Sequence, residues 1–80
     1  MIDEGIREAL ADEGRLLADP ISLGDDADLY EMGLTSHATV RVMMALEDRF
    51  EVEFPDPLLR KDTCRSVGSI RRALESLGCA

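Results

Sequence analysis

The period of the apolar residues constrains this chain most. Between residues 36 and 51 they fall at Val40, Met43, Met44, Leu46 and Phe50, a spacing that an α-helix gathers onto one face. The same period recurs at Ile2, Ile6, Leu10 and Leu17, and again at Val67, Ile70, Leu74 and Leu77. Nothing alternates with period two over a useful length, so no strands are expected. Apolar helical stripes are buried by packing helices together, which predicts an all-α fold. The expected architecture is a small four-helix bundle, mostly antiparallel, of three longer helices plus one short one. Its 80 residues suit a single domain over 1–80.

The first helix is expected from about Ile2 to Ala18. Gly5 and Gly14 each weaken it by roughly 1 kcal/mol relative to Ala, so packing must hold it. Asp19-Pro20 closes it, because proline disfavours helical geometry in the residue before it. A loop of about fifteen residues then runs to Thr35, and loops that long are usually functional or disordered. Ile21, Leu23, Leu29, Tyr30 and Met32 can pin this one onto the core.

The second helix is expected from about Ser36 to Glu51. Its apolar face includes Val40 and Met44, and Thr39, Arg41, Glu47, Asp48 and Arg49 form its wet side. Phe54 before Pro55 reads as extended backbone. Pro57 to Lys61 reads as the short third helix, with Pro57 tolerated in the first turn. Ser66 reads as the N-cap of the last helix, and Gly78 as its C-terminal stop.

Charge narrows the function classes. The formal net charge is −8, which sets the surface against nucleic acid and against anionic membranes and suits docking on basic partners. No apolar run reaches a membrane span, and Asp3 and Glu4 stand where a signal peptide would be basic, so the cytoplasm is the expected compartment. Asp19, Asp25, Asp26, Asp28 and Glu31 make the long loop acidic. Read as a calcium loop from Asp26, it puts Tyr30 at position five, Glu31 where glycine is needed and His37 at position twelve, so the pattern fails. A solvated loop, with Asp26 or Asp28 capping a turn, is the better reading. Cys64 and Cys79 have neither CxxC nor metal-ligand spacing and read as ordinary small residues.

The candidate site is the junction Gly33-Leu34-Thr35-Ser36-His37-Ala38. Ser36 is expected to cap the second helix, its oxygen facing unpaired amides at a positive helix end. Ser36 is not expected to be an enzyme's nucleophile. Its neighbour His37 points about 100° away on a helix, and no second histidine exists.

This junction resembles that of the acyl and peptidyl carrier proteins. Their pattern is Gly-x-Asp-Ser-Leu, then a helix ending near Leu-Glu-x-x-Phe, then Pro-Asp. Here it reads Gly33, Ser36, Ala45-Leu46-Glu47, Phe50 and Phe54-Pro55-Asp56. The resemblance spans nearly the whole chain. It implies a non-catalytic carrier, monomeric, whose Ser36 bears 4′-phosphopantetheine donated from coenzyme A by a phosphopantetheinyl transferase. It further implies that the arm's thiol holds a fatty, polyketide or aminoacyl group delivered by a synthase or an adenylating ligase. Two positions depart from the pattern: Thr35 replaces Asp and His37 replaces Leu. A third departure is charge, since helix 36–51 has three acids against two arginines, Arg41 and Arg49. Thr35, His37 and Arg41 are therefore the expected partner-contact residues. The rival reading is an acidic helical interaction module of the same fold without the arm.

Overall fold

The computed structural model describes residues 2–79, and these are helices and turns with no strand among them. Helix α1 is Ile2–Ala9, α2 is Ser36–Phe50 and α3 is Val67–Ser76. Short 3-10 turns occupy Pro20–Ser22, Asp56–Leu58 and Lys61–Cys64. The expected short helix over 57–61 is therefore not one α-helix but two 3-10 turns. Pro55 and Pro57 supply no amide hydrogen, and Arg60 between the turns is extended, so no continuous helical ladder forms.

Helix α1 is shorter than its stripe implied. A π-helical turn, Leu10–Gly14, follows it, and Arg15 is left-handed at φ 52°. The backbone then turns to the loop, where the Leu17 amide donates to the Met32 carbonyl at 2.8 Å. Leu10 is fully buried, whereas Leu17 is 85% exposed and no part of the core stripe. Gly5, a helix weakener on its own, leaves room for the α2 side chains. A Cβ there would lie 2.5 Å from Cζ of Phe50, so Ala at this position has to displace the Phe50 ring.

The core is drawn from all three helices and from the loop. Ile6 and Leu10, Val42 and Leu46, Ile70 and Leu74 are fully buried, and so is Leu29 from the loop. Burying these side chains contributes roughly 1.5–3 kcal/mol each. Ser66 caps α3 as expected, accepting from the Ser69 amide at 3.1 Å, while the Ser69 hydroxyl accepts from the Ser66 amide at 2.9 Å. Gly78 sits past the end of α3 at φ +93° and donates to the Glu75 carbonyl at 3.0 Å. Cys64 lies in the core, where burial pushes its thiol up to about 12.

Two acids of the loop, Asp25 and Asp28, are paired with arginines outside it. Arg7 donates to the Pro20 carbonyl at 2.8 Å and pairs with Asp25 at 3.0 Å. Arg71 bridges Asp3 at 2.6 Å and Asp25 at 3.0 Å. Asp28 accepts the Tyr30 amide at 2.9 Å, an Asx turn, and pairs with Arg65 at 3.1 Å. The Asp25 carbonyl also accepts the Gly68 amide of α3 at 3.0 Å.

The Arg71 guanidinium bonded to Asp25 holds that carboxyl below its ordinary value of 3.8, against the upward push of burial and with help from Arg7. A depressed carboxyl contributes stability that is complete above its ordinary value and is lost as pH falls through the lower, folded value. Urea midpoints should therefore drop as pH falls below about 4, and Asp25→Asn should make that drop shallower.

Candidate functional site

Gly33 turns the loop at φ +102°, a conformation that favours glycine, with Leu17 packed against it. Leu34 follows and is buried, which anchors the strand of chain entering α2. Thr35 is extended, and its Oγ1 accepts the Ala38 amide at 3.0 Å. Thr35, not Ser36, is therefore the N-cap, and Ser36 is the first helical residue. The physical reason is reach: a capping oxygen must arise from the extended residue just before the helix to meet the amide three positions on. Thr35→Ala should lower stability by about 0.5–2 kcal/mol in urea denaturation, whereas Thr35→Asp, which keeps a capping oxygen, should preserve it.

Relieved of capping, the Ser36 hydroxyl is exposed and forms no hydrogen bond among the described residues. His37 and Arg41 are exposed beside it. No described carboxylate or imidazole bonds to Ser36, so its oxygen is an unactivated primary alcohol. The site can present a hydroxyl, but an activating base has to come from elsewhere.

Val40 and Met44 face outward, at 57% and 59% exposure, which reverses the inward orientation expected for them. They stand four and eight residues after Ser36, on the serine's own stripe. An exposed Ser36 therefore exposes them too, a consequence the spacing already contained. The core face is instead Ala38, Thr39, Val42, Met43 and Leu46. Thr39, expected on the wet side, is buried. Its hydroxyl donates to the Thr35 carbonyl at 2.8 Å and lies 3.2 Å from the Tyr30 oxygen.

Val40, Met43 and Met44 form the floor of a groove between α2 and the connector 56–64. It opens at Ser36 and Thr39, is flanked by Tyr30, Leu59, Arg60 and Lys61, and has Glu47 at the far end of its helix wall. Its volume is about 340 Å³. Tyr30 holds the two walls together by donating to the Lys61 carbonyl at 2.9 Å. Sequence reasoning missed Tyr30, Leu59, Arg60 and Lys61, which no helical period relates to Ser36. Arg41 is not a free charge, since its Nε lies 3.4 Å from Glu13. Arg49 likewise pairs with Glu8 at 2.7 Å and Asp12 at 3.6 Å. Acids at the end of α1 and in its π turn thus offset the arginines of α2.

A family profile described as the phosphopantetheine attachment site matches residues 4–74. The chain belongs to that family. Among curated proteins it is 43% identical over 65 residues to an aminoacyl carrier protein of Agrobacterium fabrum, covering 81% of this chain and 78% of that one. Among solved structures it resembles a chain in the complex of an engineered Bradyrhizobium japonicum glycine:[carrier protein] ligase with a carrier protein from Agrobacterium tumefaciens and AMP. There the TM-score is 0.88 and the identity 38%, over 91% of this chain and 97% of the other. In the corresponding complex with ATP the TM-score is 0.91 and the identity 37%, over 95% and 99%. The chain is thus a carrier protein with no catalytic activity of its own, and 4′-phosphopantetheine is its prosthetic group. The described residues fit that group: a free hydroxyl stands at the mouth of a groove of the size that binds small organic ligands. No helix among the described residues is long and apolar enough to cross a membrane.

Proposed function

We propose that Ser36 is the attachment residue and that the cargo is an amino acid activated by an adenylating ligase. The observation that carries the first part is the Ser36 hydroxyl, exposed and unbonded at the start of α2 inside the matched family region. In the attachment step Ser36 Oγ attacks the β-phosphate of coenzyme A. An ester bond to phosphorus forms, the pyrophosphate bond breaks, adenosine 3′,5′-bisphosphate leaves, and the hydroxyl proton passes to a base of the transferase. The phosphodiester so formed lies at a helix N-terminus, where amides and dipole favour an anion. When bound, the arm supplies a terminal thiol that holds the cargo as a thioester.

The aminoacyl reading is supported by the curated relative, an aminoacyl carrier protein, and by the similar carriers complexed with a glycine ligase. Residues 1–80 act as one monomeric, cytoplasmic carrier domain, modified by a phosphopantetheinyl transferase. Thr35 contributes by fixing the start of α2, and His37 and Arg41 are the side chains a partner meets beside the arm.

The test is direct loading. Holo protein is incubated with ATP, single amino acids and a glycine:[carrier protein] ligase, and its intact mass is followed. A mass gain of one aminoacyl residue, reversed by hydroxylamine, is expected. Loading by a fatty acyl ligase with none from amino acids would overturn the aminoacyl reading, and a chain that accepts no arm at all would favour the bare interaction module.

A further inference from the structure

On the reading that an adenylating ligase loads an arm carried by Ser36, that ligase meets the exposed arc of α2. We infer that Arg41 is a specificity-determining residue of this contact: it takes a carboxylate of the ligase, and in the free carrier Glu13 competes for it.

Arg41 stands apart from the other paired arginines. Arg7, Arg49, Arg65 and Arg71 each donate a hydrogen bond to a carboxylate. Arg41 has an ionic contact alone, Nε to Glu13 at 3.4 Å, and no hydrogen bond among the described residues. Its side chain is 50% exposed, more than that of any other paired arginine. Its planar fork of N–H donors, the shape that fits a carboxylate with two parallel bonds, is therefore unused. Exposed ion pairs of this kind are weak, so Glu13 of the π turn can be displaced.

Position makes that donor set matter. Ser36, Val40 and Met44 run along one edge of the exposed arc of α2, and Arg41 stands at the other. It lies about 140° round from the serine and about 7.5 Å along the axis. Met44, three residues on, is its neighbour on the helix surface. From Ser36 to Met44 there is no carboxylate, and Arg41 is the only arginine or lysine. The acids of α2 begin at Glu47, whose Oε2 already accepts the Phe54 amide at 2.8 Å. Val40 and Met44 are 57% and 59% exposed, so a partner gains apolar burial by covering them. Covering them also strips water from the guanidinium beside them. A dehydrated cation is costly unless a hydrogen-bonded anion replaces the water. A carboxylate on the ligase does this, whereas a lysine or arginine there is repelled. The ligase that fits this arc is thus acidic opposite Arg41, although a net charge of −8 favours basic partners over the surface as a whole.

The test is the kinetics of loading by a glycine:[carrier protein] ligase with ATP and glycine, the holo carrier being the varied substrate. Intact mass first shows that each variant carries the arm, and circular dichroism that it is folded. Arg41→Gln should raise KM for the carrier roughly tenfold with kcat little changed, the size of a lost charge-assisted hydrogen bond. Glu13→Gln should act in the opposite sense and lower KM by about two- to fivefold, because it frees Arg41 from an exposed pair. A pair that served only the fold would give both variants the same sign. The double variant Glu13→Gln, Arg41→Gln should match Arg41→Gln alone, since the gain from removing Glu13 depends on Arg41. A KM raised or unchanged by Glu13→Gln would overturn the inference, as would an equal gain with and without Arg41. If the ligase loads no glycine onto the unsubstituted holo chain, the reading of the ligase as its partner falls, and this inference with it.

Discussion

Ser36→Ala is expected to abolish attachment outright. Incubated with a phosphopantetheinyl transferase and coenzyme A, the unsubstituted chain should gain the mass of one arm, and the variant none. The effect is all-or-none because the step needs an oxygen nucleophile, and Ala supplies none at that position. The fold should survive, for Ser36 is exposed and Thr35 does the capping, accepting the Ala38 amide at 3.0 Å. Circular dichroism and a urea midpoint close to that of the unsubstituted chain would show this. A variant that still gains the arm would move the attachment site to another hydroxyl. This clean separation follows from the structure. Had Ser36 been the cap, Ala there would have cost stability as well as the arm.

The second large effect is on stability. Leu46→Ala should cost roughly 2–5 kcal/mol, the range for emptying a fully buried leucine site. For a chain of this length total stability is roughly 4–12 kcal/mol, so one substitution removes a large share of it. Leu74→Ala, equally buried on α3, should behave alike. The contrast that tests the helix register is Val40→Ala. Val40 is 57% exposed and should change the urea midpoint little, by about 0.5 kcal/mol or less. Equal losses for Leu46→Ala and Val40→Ala would contradict the face of α2 assigned to the core.

Three helices, their order and the chemistry of the junction were legible along the chain. The period at Val67, Ile70 and Leu74 is local, and so are the Ser66 cap and the Gly78 stop, so α3 could be read from its own residues. The extent of α2 was legible to within a residue for the same reason: Glu51 ends it in a left-handed conformation at φ 55°. The family pattern around Ser36 was legible because it too is a run of neighbours, and the matched profile over residues 4–74 agrees with it.

What failed involved competition between distant parts. Ile2, Ile6, Leu10 and Leu17 share a stripe, yet α1 gives way to a π turn after Ala9, because the Leu17 backbone pairs with Met32 in the loop. Helical period states which residues share a face, but not which face the rest of the protein covers. Val40 and Met44 are as apolar as Val42 and Met43. Only the packing of α1 and its π turn on one side of α2 buries the latter pair and leaves the former beside Ser36.

The sequence by itself determined the all-helical class, the caps of the last helix and the exposed serine's place in a carrier pattern. Each of these depends on contacts within about four residues. The tertiary structure alone decided the groove. Its walls come from α2 and from a connector some twenty residues later, and Tyr30, from the loop before α2, joins them by hydrogen bonding to Lys61. It likewise decided the charges. Arg41 and Glu13 are far apart in the chain and neutralise one another only because α2 packs on the π turn after α1, while Arg60 and Lys61, on the groove wall, form no ion pair among the described residues.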